Sequence, residues 1–489
     1  MKNQVQLITY VDRLTGGGIP QLNSLLSKEL AGVFGGAHLL PFFHPIDGAD
    51  AGFDPVDHTQ VDPRLGTWND LLELGSVVEL MADLIVNHVS SQSPQFHDFS
   101  CGGSKSKYAE MFLTYDRVFS SGASETDLLR IYRPRPGLPF AYTTLACGEK
   151  RLLWTTFTPQ QIDIDVEGSL GKAYLGAILA KFHASGIRAV RLDAVGYAIK
   201  KPGTSCFMIP ETFVFIEQLT AQARQLGIEV LVEVHSDYRR QVEIAKRVDW
   251  VYDFALPPLI LHALYSEDVD ALVRWLQIRP VNAITVLDTH DGIGVIDVGA
   301  DSAGNPGLLT REEIDLLVNT IHERSHGESR QATGAAASNL DLYQVNCTYF
   351  DALGRDERLY LIARAIQFFV PGIPQVYYVG LLCGTNDMAL LARSRVGRDI
   401  NRHYFTMDEV RTALEIPTVK RLLQLIHLRN THPAFNGSYE LIHEAQNRLT
   451  IAWRREKEWI TLRVNLSEPR AEIEFSTDSN GGKGQTTIN

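Results

Sequence analysis

Ile187-Arg188-Ala189-Val190-Arg191-Leu192-Asp193-Ala194 is a strand-like segment that ends in charged side chains. The mainly apolar run from Ile187 to Val190 predicts a buried β-strand, and a charged pair, Arg191 and Asp193, follows where that strand emerges. Side chains two residues apart in a strand project to the same side, so we expect Arg191 and Asp193 to share one face. A charged pair in this position indicates either a structural ion pair or a functional site.

Three further apolar runs finish in polar or charged side chains in the same way. They span Asp83 to His88, Val230 to His235 and Thr285 to Asp291. One such strand end could be a buried ion pair, but four in series are hard to explain as packing. We therefore expect the four strand ends to carry function.

Eight strand candidates alternate with helical stretches over most of the chain, which predicts a (β/α)8 TIM barrel because parallel strands need long crossover connections. The rival fold is a doubly wound open sheet, and a dinucleotide-binding sheet of that kind would show a Gly-rich phosphate turn after its first strand. Tyr10 to Leu14 is not such a turn. The predicted strands are Val5–Val11, His38–Phe43, Met81–Asn87, Ala189–Asp193, Glu229–His235, Trp250–Phe254, Ala283–Thr289 and Pro374–Val379.

The remaining length predicts two inserted domains and a small C-terminal antiparallel β domain. A bare barrel takes about 250 residues, whereas this chain has 489. Inside the second insertion, Gln331 to Leu340 is rich in small residues and predicts a loop, and we expect the polar end from Ser479 to Asn489 to fray. The expected divisions are 1–88, 168–292 and 355–434 for the catalytic barrel, 89–167 for inserted domain B, 293–354 for inserted domain B', and 435–489 for the C-terminal domain.

Composition excludes several classes of protein. The chain is 45% hydrophobic with a formal net charge of −12, which argues against a general nucleic-acid binder because such proteins present a basic face. No run approaches the ~20 apolar residues of a membrane span, and the start from Met1 lacks the features of a secretory signal. The five cysteines are scattered and odd in number, so they indicate neither a zinc site nor a disulfide framework and favour a cytoplasmic location.

The polar strand ends suit glycosyl transfer with retention of configuration. In a barrel the C-terminal ends of the strands open onto one face, so distant residues converge there. Retaining transfer needs a carboxylate that attacks the anomeric carbon and a second carboxyl group that protonates the departing oxygen. We expect Asp193, beside Arg191, to be the nucleophile. Glu233 closes a strongly apolar strand, a setting that favours the protonated carboxyl of a general acid, and Asp291 is a third carboxylate that could stabilise the transition state.

A metal site is the alternative use of His88 and His290. Neither belongs to a ligand motif such as HExxH, so we expect no metal, and the chemistry needs no organic cofactor.

The four polar strand ends resemble, in order, the four signature regions of the α-amylase superfamily, glycoside hydrolase family 13. As an ordered set they are highly specific: Asp83 to His88, Arg191 to Asp193, Glu233, and Thr289 to Asp291. The resemblance implies Asp193 as nucleophile, Glu233 as acid/base and Asp291 as transition-state stabiliser.

Further stretches are similar to the sucrose phosphorylase family within that superfamily. The resemblance covers nearly the whole chain and weakens after about residue 435. The stretches that carry it are Leu39 to Phe43, Asp47 to Asp54, Tyr132 to Phe140, Phe157 to Asp165, Leu340 to Asn346 and Gly397 to Tyr404.

The resemblance implies a set of binding residues in three groups. Asp50 and Arg398 would pair across the closed end of a glucose pocket that Phe53 and Phe157 line. The second group, near the glucose hydroxyls, would be His88, Gln161, Arg191 and His290. The third would bind phosphate through Arg135, Tyr197, His235 and Tyr343 and fructose through Leu340, Asp341 and Gln344.

The implied reaction is reversible phosphorolysis of sucrose by inorganic phosphate, which gives α-D-glucose 1-phosphate and fructose by double displacement, with transglucosylation to other acceptors. The nearest alternative is a related phosphorylase for sucrose 6'-phosphate, glucosylglycerate or glucosylglycerol. A hydrolase or transglucosidase comes next, and a catalytically inactive barrel with a binding role would be expected to lack the carboxylates. The sequence leaves open whether the protein is a monomer or a homodimer.

Overall fold

Eight parallel strands close into a barrel in the computed structural model, which describes residues 1–48, 50–134, 137–301, 303–333, 344–477 and 482–488. Each strand pairs with its neighbours along the chain, and the eighth closes the ring against the first through the register Gln6 to Gln375. The predicted (β/α)8 barrel is therefore confirmed. In chain order the strands are β1 Gln6–Thr9, β2 Gly36–Leu39, β3 Glu79–Ile85, β4 Ile187–Asp193, β5 Glu229–Val232, β6 Trp250–Asp253, β7 Ala283–Thr285 and β8 Ile373–Tyr377.

Each predicted strand overlaps an observed one, but several end earlier than predicted. β5 ends at Val232 rather than His235, and β7 ends at Thr285 rather than Thr289. Beyond β7 the side chains of Val286 and Leu287 are still buried, because they pack under the loops that follow the barrel. A prediction from hydrophobicity alone therefore places the end of a strand beyond its last hydrogen-bonded residue.

The helices between the strands bury apolar faces against the barrel. Leu175, Ile178, Leu179 and Phe182 repeat at helical spacing in the helix before β4, and all four are buried. Among the described residues no helix combines the length and the apolar character that crossing a bilayer requires. The α-helices are Val11–Thr15, Ile19–Ser27, Trp68–Leu74, Pro94–Gly102, Tyr115–Val118, Glu125–Arg130, Ser169–Ala184, Pro210–Gln225, Tyr238–Ala245, Leu256–Ser266, Asp270–Ile278, Arg311–Arg324, Glu328–Thr333, Tyr349–Ala352, Glu357–Phe369, Tyr378–Leu381, Met388–Ser394, Met407–Leu414 and Pro417–Thr431.

Two inserted segments leave the barrel, one after β3, the strand of Asp83, and one after β7, beyond Asp291. After β3 the chain forms two antiparallel ribbons, one from His88–Ser90 with Gln161–Asp163 and one from Phe140–Thr144 with Lys150–Trp154. After β7 a short ribbon pairs Ile293–Gly294 with Gln344–Val345. The predicted loop from Gln331 begins inside a helix that ends at Thr333, and the rest of that prediction lies outside the described residues.

The C-terminal part is a five-stranded antiparallel sheet, as predicted. Its strands are β9 Ser438–Ala445, β10 Arg448–Arg455, β11 Glu458–Asn465, β12 Arg470–Ser476 and β13 Lys483–Ile488. The expectation that the polar end would fray is wrong for β13, which pairs along its whole length with β12. Backbone hydrogen bonds of the sheet edge hold this polar segment, and composition does not reveal them.

Candidate active site

Arg191 lies at the centre of the polar face, buried between three carboxylates. Its Nη1 contacts Asp83 on β3 and also lies 3.4 Å from Oδ1 of Asp193, while its Nη2 contacts Glu233. The three acids meet here because β3, β4 and β5 are adjacent and Asp83 pairs in register with Arg191. One guanidinium therefore holds Asp193 and Glu233 on its two sides. We expected Arg191 to lie beside Asp193, and it contacts Asp83 and Glu233 as well.

The charge balance at Asp193 follows from this sharing. Burial raises the pKa of Asp193 well above its usual range, Arg191 acts in the opposite direction, and the negative charges of Glu233 and Asp83 add to the increase. The next residue, Ala194, has φ 55°, a left-handed conformation that turns the chain sharply just after the carboxylate.

Asp291 has the opposite balance. Burial opposes its ionisation, but Arg398, His290, His235 and Arg402 together hold the pKa of Asp291 far below its usual range. Arg398 Nη1 lies 2.9 Å from its Oδ1, and Arg402 Nη2 lies 3.9 Å away. Asp291 is therefore an ionised carboxylate, as a stabiliser of positive charge must be.

Asp50 approaches the same arginine from the other side, at 3.9 Å from Nη1 of Arg398. Asp50 and Ala51 have φ 59° and 53°, so two consecutive non-glycine residues adopt a left-handed backbone. Such conformations cost energy and tend to cluster at functional sites. The strain supports a functional place for Asp50.

Aromatic rings and histidines form a wall beside the carboxylates. Phe53 stacks on His290 with ring centroids 5.0 Å apart, and the guanidinium of Arg191 lies 5.4 Å from the Phe53 ring. Phe157 meets His88 edge-on at 5.4 Å and Tyr197 at 5.1 Å. The residues predicted to bind glucose are thus in contact with one another.

Two groups contact one ring nitrogen of His88. Its Nε2 lies 2.9 Å from the carbonyl oxygen of Phe53 and 3.2 Å from Nε2 of Gln161. Burial lowers the pKa of His88, although the negative charge of Asp163 acts in the opposite direction. The ring is therefore neutral at pH 7 and suited to hydrogen bonding.

The structure describes only some of the residues that we predicted to bind phosphate. His235 Nδ1 lies 3.0 Å from Oδ2 of Asp297, and its Nε2 lies 3.2 Å from Nε2 of Gln344. Burial opposes protonation of His235, but Asp297 raises its pKa overall. Four residues predicted for phosphate and fructose lie outside the described residues: Arg135, Leu340, Asp341 and Tyr343.

Lys200 is a buried cation that we did not predict. Its Nζ lies 2.6 Å from Oδ1 of Asn87, 2.6 Å from Oδ2 of Asp163 and 2.5 Å from the carbonyl oxygen of Tyr197. It ties the end of β3 to the first inserted ribbon and to the turn after β4. The adjacent Lys201 is exposed, so no sequence signal separates the two lysines.

Arg402 and Asp297 were also missed. Arg402 is buried and its Nε donates to the carbonyl oxygen of His290 at 2.9 Å, while Asp297 holds His235. Neither residue follows a predicted barrel strand, so the strand-end pattern that located the other side chains does not reach them.

Glu233, His235 and Asp291 form the one cluster of potential metal ligands found among the described residues. One ligand atom from each lies within 4.8 Å of the others. Both carboxylates are already paired with arginines, Glu233 with Arg191 and Asp291 with Arg398, and Asp297 holds the other ring nitrogen of His235. Protein cations therefore balance the negative charge of this cluster.

Comparisons with known proteins agree with this geometry. The chain is 63% identical over 476 residues to the sucrose phosphorylase of Agrobacterium vitis, an alignment that covers 97% of this chain and 98% of the relative. It is 54% identical over 464 residues to the sucrose phosphorylase of Bifidobacterium adolescentis, covering 94% and 92% of the two chains. No protein-family model matches the chain.

A solved structure gives the same result for the fold. The crystal structure of sucrose 6F-phosphate phosphorylase from Thermoanaerobacter thermosaccharolyticum has a TM-score of 0.92 at 38% identity, covering 100% of this chain and 98% of that one. These likenesses extend over the whole barrel and the C-terminal sheet. The chain belongs to the sucrose phosphorylase family of glycoside hydrolase family 13.

Proposed function

We propose that the protein catalyses the reversible phosphorolysis of sucrose, a glycosyl transfer that yields α-D-glucose 1-phosphate and fructose with net retention. The observation that carries this proposal is the contact of one buried guanidinium, Arg191, with both Asp193 and Glu233. Retaining transfer requires two carboxyl groups on opposite sides of the scissile bond. The identity of 63% to a sucrose phosphorylase supports the choice of substrate.

In the first displacement, Asp193 attacks the anomeric carbon of the glucosyl unit and forms a covalent ester. Glu233 gives its proton to the glycosidic oxygen, so fructose leaves as an alcohol. Positive charge develops on the sugar ring, and the ionised Asp291 stabilises it. Arg191 holds the two reacting carboxyl groups in place.

In the second displacement, phosphate attacks the glucosyl ester and Asp193 leaves as a carboxylate. Glu233, now ionised, accepts the proton of the attacking phosphate oxygen. His235 supports this step because its raised pKa favours a positive charge that attracts phosphate. We assign Arg135, Tyr197 and Tyr343 to the same phosphate group, and Leu340, Asp341 and Gln344 to the fructose side.

The glucose pocket is closed by Asp50 and Arg398 and walled by Phe53 and Phe157. Hydrogen bonds from His88, Gln161, Arg191 and His290 would hold the hydroxyls of one hexose. A charged pair at the far end leaves no path for a longer glucan chain. The pocket therefore suits a disaccharide that carries one terminal glucosyl unit.

The proposal includes a division of the chain and a location. We assign 1–88, 168–292 and 355–434 to the catalytic barrel, 89–167 and 293–354 to two inserted domains, and 435–489 to the C-terminal domain. The cysteines are unpaired, which suits a cytoplasmic location because the cytoplasm keeps thiols reduced.

Incubation of the purified protein with sucrose, with and without phosphate, tests the proposal. We expect glucose 1-phosphate that depends on phosphate and that disappears in Asp193→Ala. Free glucose in equal amounts in both buffers would make the protein a hydrolase instead. Parallel reactions with sucrose 6'-phosphate, glucosylglycerate and glucosylglycerol test the related phosphorylases, and turnover of one of these in place of sucrose would reassign the substrate.

A further inference from the structure

A column of buried polar side chains crosses the barrel beneath the catalytic carboxylates. Branched aliphatic side chains usually fill the interior of such a barrel. Here His38 of β2, Tyr252 of β6, Gln375 of β8 and Gln6 of β1 lie inside, and each is at most 4% exposed. We call these four residues the polar column.

Contacts join the column into one chain. Oε1 of Gln6 accepts a hydrogen bond from Nε2 of Gln375 at 2.9 Å, and Oε1 of Gln375 lies 3.3 Å from the hydroxyl of Tyr252. That hydroxyl lies 3.3 Å from Nδ1 of His38. Because β2 and β6 are not neighbours in the barrel, the last contact spans its interior.

The column ends on a carboxylate that holds Arg191. Nε2 of His38 lies 3.3 Å from Oδ1 of Asp83, and Nη1 of Arg191 contacts the same oxygen. Burial opposes ionisation of Asp83, but the charges of Arg191 and His38 lower its pKa to about 2. An ionised carboxylate has no proton to donate, so Nε2 of His38 is on the donor side of this contact, which at 3.3 Å is close but not aligned as a hydrogen bond.

Tyr252 keeps the other side of the imidazole occupied. Burial raises the pKa of Tyr252 far above its usual value, so the phenol stays protonated and can donate. The Tyr252 hydroxyl donates to Oε1 of Gln375, so its oxygen can accept a hydrogen from Nδ1 of His38; reversing both amides lets the hydroxyl donate to Nδ1 instead. In either orientation the contacts run without a break from Gln6 to His38.

We propose that His38 and Tyr252 are positioning residues for the reaction, since they fix Asp83 and, through it, the guanidinium of Arg191 that holds Asp193 and Glu233 apart. The inference rests on the proposed function and deepens it. A shift of Arg191 would move both reacting carboxyl groups, and misplacement by about 1 Å can cost about 100-fold in rate. The glucose pocket contains neither His38 nor Tyr252, and His88, Gln161 and His290 would still bind the hexose if Arg191 shifts, so substrate binding should change less than kcat.

His58 provides a matched control. It is buried like His38, and its Nε2 also contacts Asp83, at 3.1 Å, but it reaches the backbone carbonyl oxygen rather than the carboxylate. It packs on Phe43 with ring centroids 4.3 Å apart. Loss of His58 should therefore cost stability and leave the position of Arg191 unchanged.

The experiment compares His38→Leu, His38→Gln, Tyr252→Phe and His58→Leu with the parent protein. Steady-state kinetics are measured with sucrose and phosphate and, separately, with α-D-glucosyl fluoride by fluoride release. Phosphate is the acceptor in both assays. Glucosyl fluoride needs little proton assistance for its leaving group, so fluoride release reports the transfer without the departure of fructose. Thermal unfolding of each variant reports stability.

We expect kcat of His38→Leu to fall about 10- to 100-fold on both donors with KM within about threefold. His38→Gln should recover part of the loss, because its amide can again donate to Asp83. Tyr252→Phe, a conservative change that should fold, is expected to lose about threefold or more in kcat. His58→Leu should lower the melting temperature and keep kcat within about twofold.

The inference is overturned if Tyr252→Phe and His38→Leu keep the parent kcat on glucosyl fluoride, or if His58→Leu loses as much kcat as His38→Leu. The second result would mean that burial, and not contact with the carboxylate, sets the loss. Failure of the proposed function has a different signature. The parent protein would then release fluoride from glucosyl fluoride but form no glucose 1-phosphate from sucrose.

Discussion

As the proposed nucleophile, Asp193 meets two demands that oppose each other. It must be ionised to attack the anomeric carbon, yet burial favours its protonated form. Arg191 offsets only part of the burial effect, because the same guanidinium also contacts Asp83 and Glu233. Protonation of Asp193 should therefore limit the activity of the free enzyme at acidic pH.

The acidic limb of kcat/KM against pH should lie above the ordinary pKa of an aspartate, about 3.9. The ionised, reactive fraction grows as pH rises through the raised pKa of Asp193, so activity is lost as pH falls through that value. Kinetics with sucrose from acidic to neutral pH check this. A kcat/KM that stays level down to the ordinary aspartate pKa would contradict it, provided that unfolding at low pH is excluded by circular dichroism.

The sequence pattern identified the candidate carboxylates but did not predict which of them would be ionised. Asp193, Glu233 and Asp291 all follow apolar strand-forming runs, and that pattern is local. The sharing of Arg191 among three acids depends on the register of three neighbouring strands. Lys200 and Asp297 act from turns whose sequence carries no periodic signal, so only the folded chain identifies them.

At the scale of elements, the inserted ribbon and the turn after β4 meet on one buried ammonium group. Lys200 contacts Asn87, Asp163 and the carbonyl oxygen of Tyr197. Asp163 also accepts a hydrogen bond from the backbone nitrogen of Thr156 at 3.0 Å. Lys200 therefore couples the wall that carries Phe157 and Tyr197 to the end of β3.

Lys200→Met should destabilise the protein by about 3 kcal/mol or more, because it leaves Asp163 buried without its cation. Activity should fall as well, since the segments that carry Phe157 and Tyr197 lose their common anchor. Lys201→Met is the matched control: Lys201 lies on the surface with Glu167, and such pairs contribute about 0–1 kcal/mol. Equal melting temperatures for the two variants would refute the role of Lys200.

A glycine fixes the approach of β8 to β7. Gly372 has φ 118°, and a Cβ atom there would lie 2.2 Å from the carbonyl oxygen of Ala283. Gly372→Ala should therefore destabilise by about 2–4 kcal/mol. Gly227 has φ 71° and open space around it, so Gly227→Ala should cost only about 1 kcal/mol of backbone strain. A thermal shift no larger for Gly372→Ala than for Gly227→Ala would contradict this account.

Element boundaries were the weakest part of the sequence reading. Apolar side chains continue past the last hydrogen-bonded residue of β5 and β7, so both strands were predicted too long. The segment that follows β8 contains the helix Met388–Ser394, which the sequence analysis did not predict. Its short apolar face packs locally, and the surrounding polar residues obscure its period.

At the scale of the whole molecule, the C-terminal sheet shares one hydrophobic core with the barrel. Nε1 of Trp453 donates to the carbonyl oxygen of Phe369 at 2.7 Å, and Phe435 packs between the two parts, against Phe369 at 5.1 Å and Trp453 at 5.8 Å. The sheet therefore covers the helix Glu357–Phe369, which is buried from Leu359 to its end.

A chain that ends at residue 434 should fail to fold into a stable monomer. Without the C-terminal sheet, the helix Glu357–Phe369 would be exposed to water. A chain that ends at Ser476 loses only the edge strand β13 and should remain folded with a lower melting temperature. Size-exclusion chromatography and thermal unfolding distinguish the two. A monomeric chain of residues 1–434 with the parent activity would contradict the shared core.

The architecture was predictable because eight apolar runs are separated by segments long enough for crossover helices, and few folds fit that pattern. The order of the polar strand ends then narrowed the chemistry to retaining glycosyl transfer. The strand β13 was not predictable, because a polar edge strand gains its order from the hydrogen bonds of a neighbour. The polar column was not predictable either, because its four residues come from four separate strands and meet only in the folded barrel.

Direct detection of the covalent intermediate tests whether Asp193 is the nucleophile of a double displacement. The Glu233→Gln variant, in which the glucosyl ester should break down slowly, is mixed with α-D-glucosyl fluoride. The protein is then quenched in acid and digested for peptide mass spectrometry. We predict one added hexosyl group on the peptide that contains Asp193, located at that residue by fragmentation and absent in Asp193→Asn. A hexosyl group on another residue, or fluoride release without any labelled peptide, would contradict the mechanism.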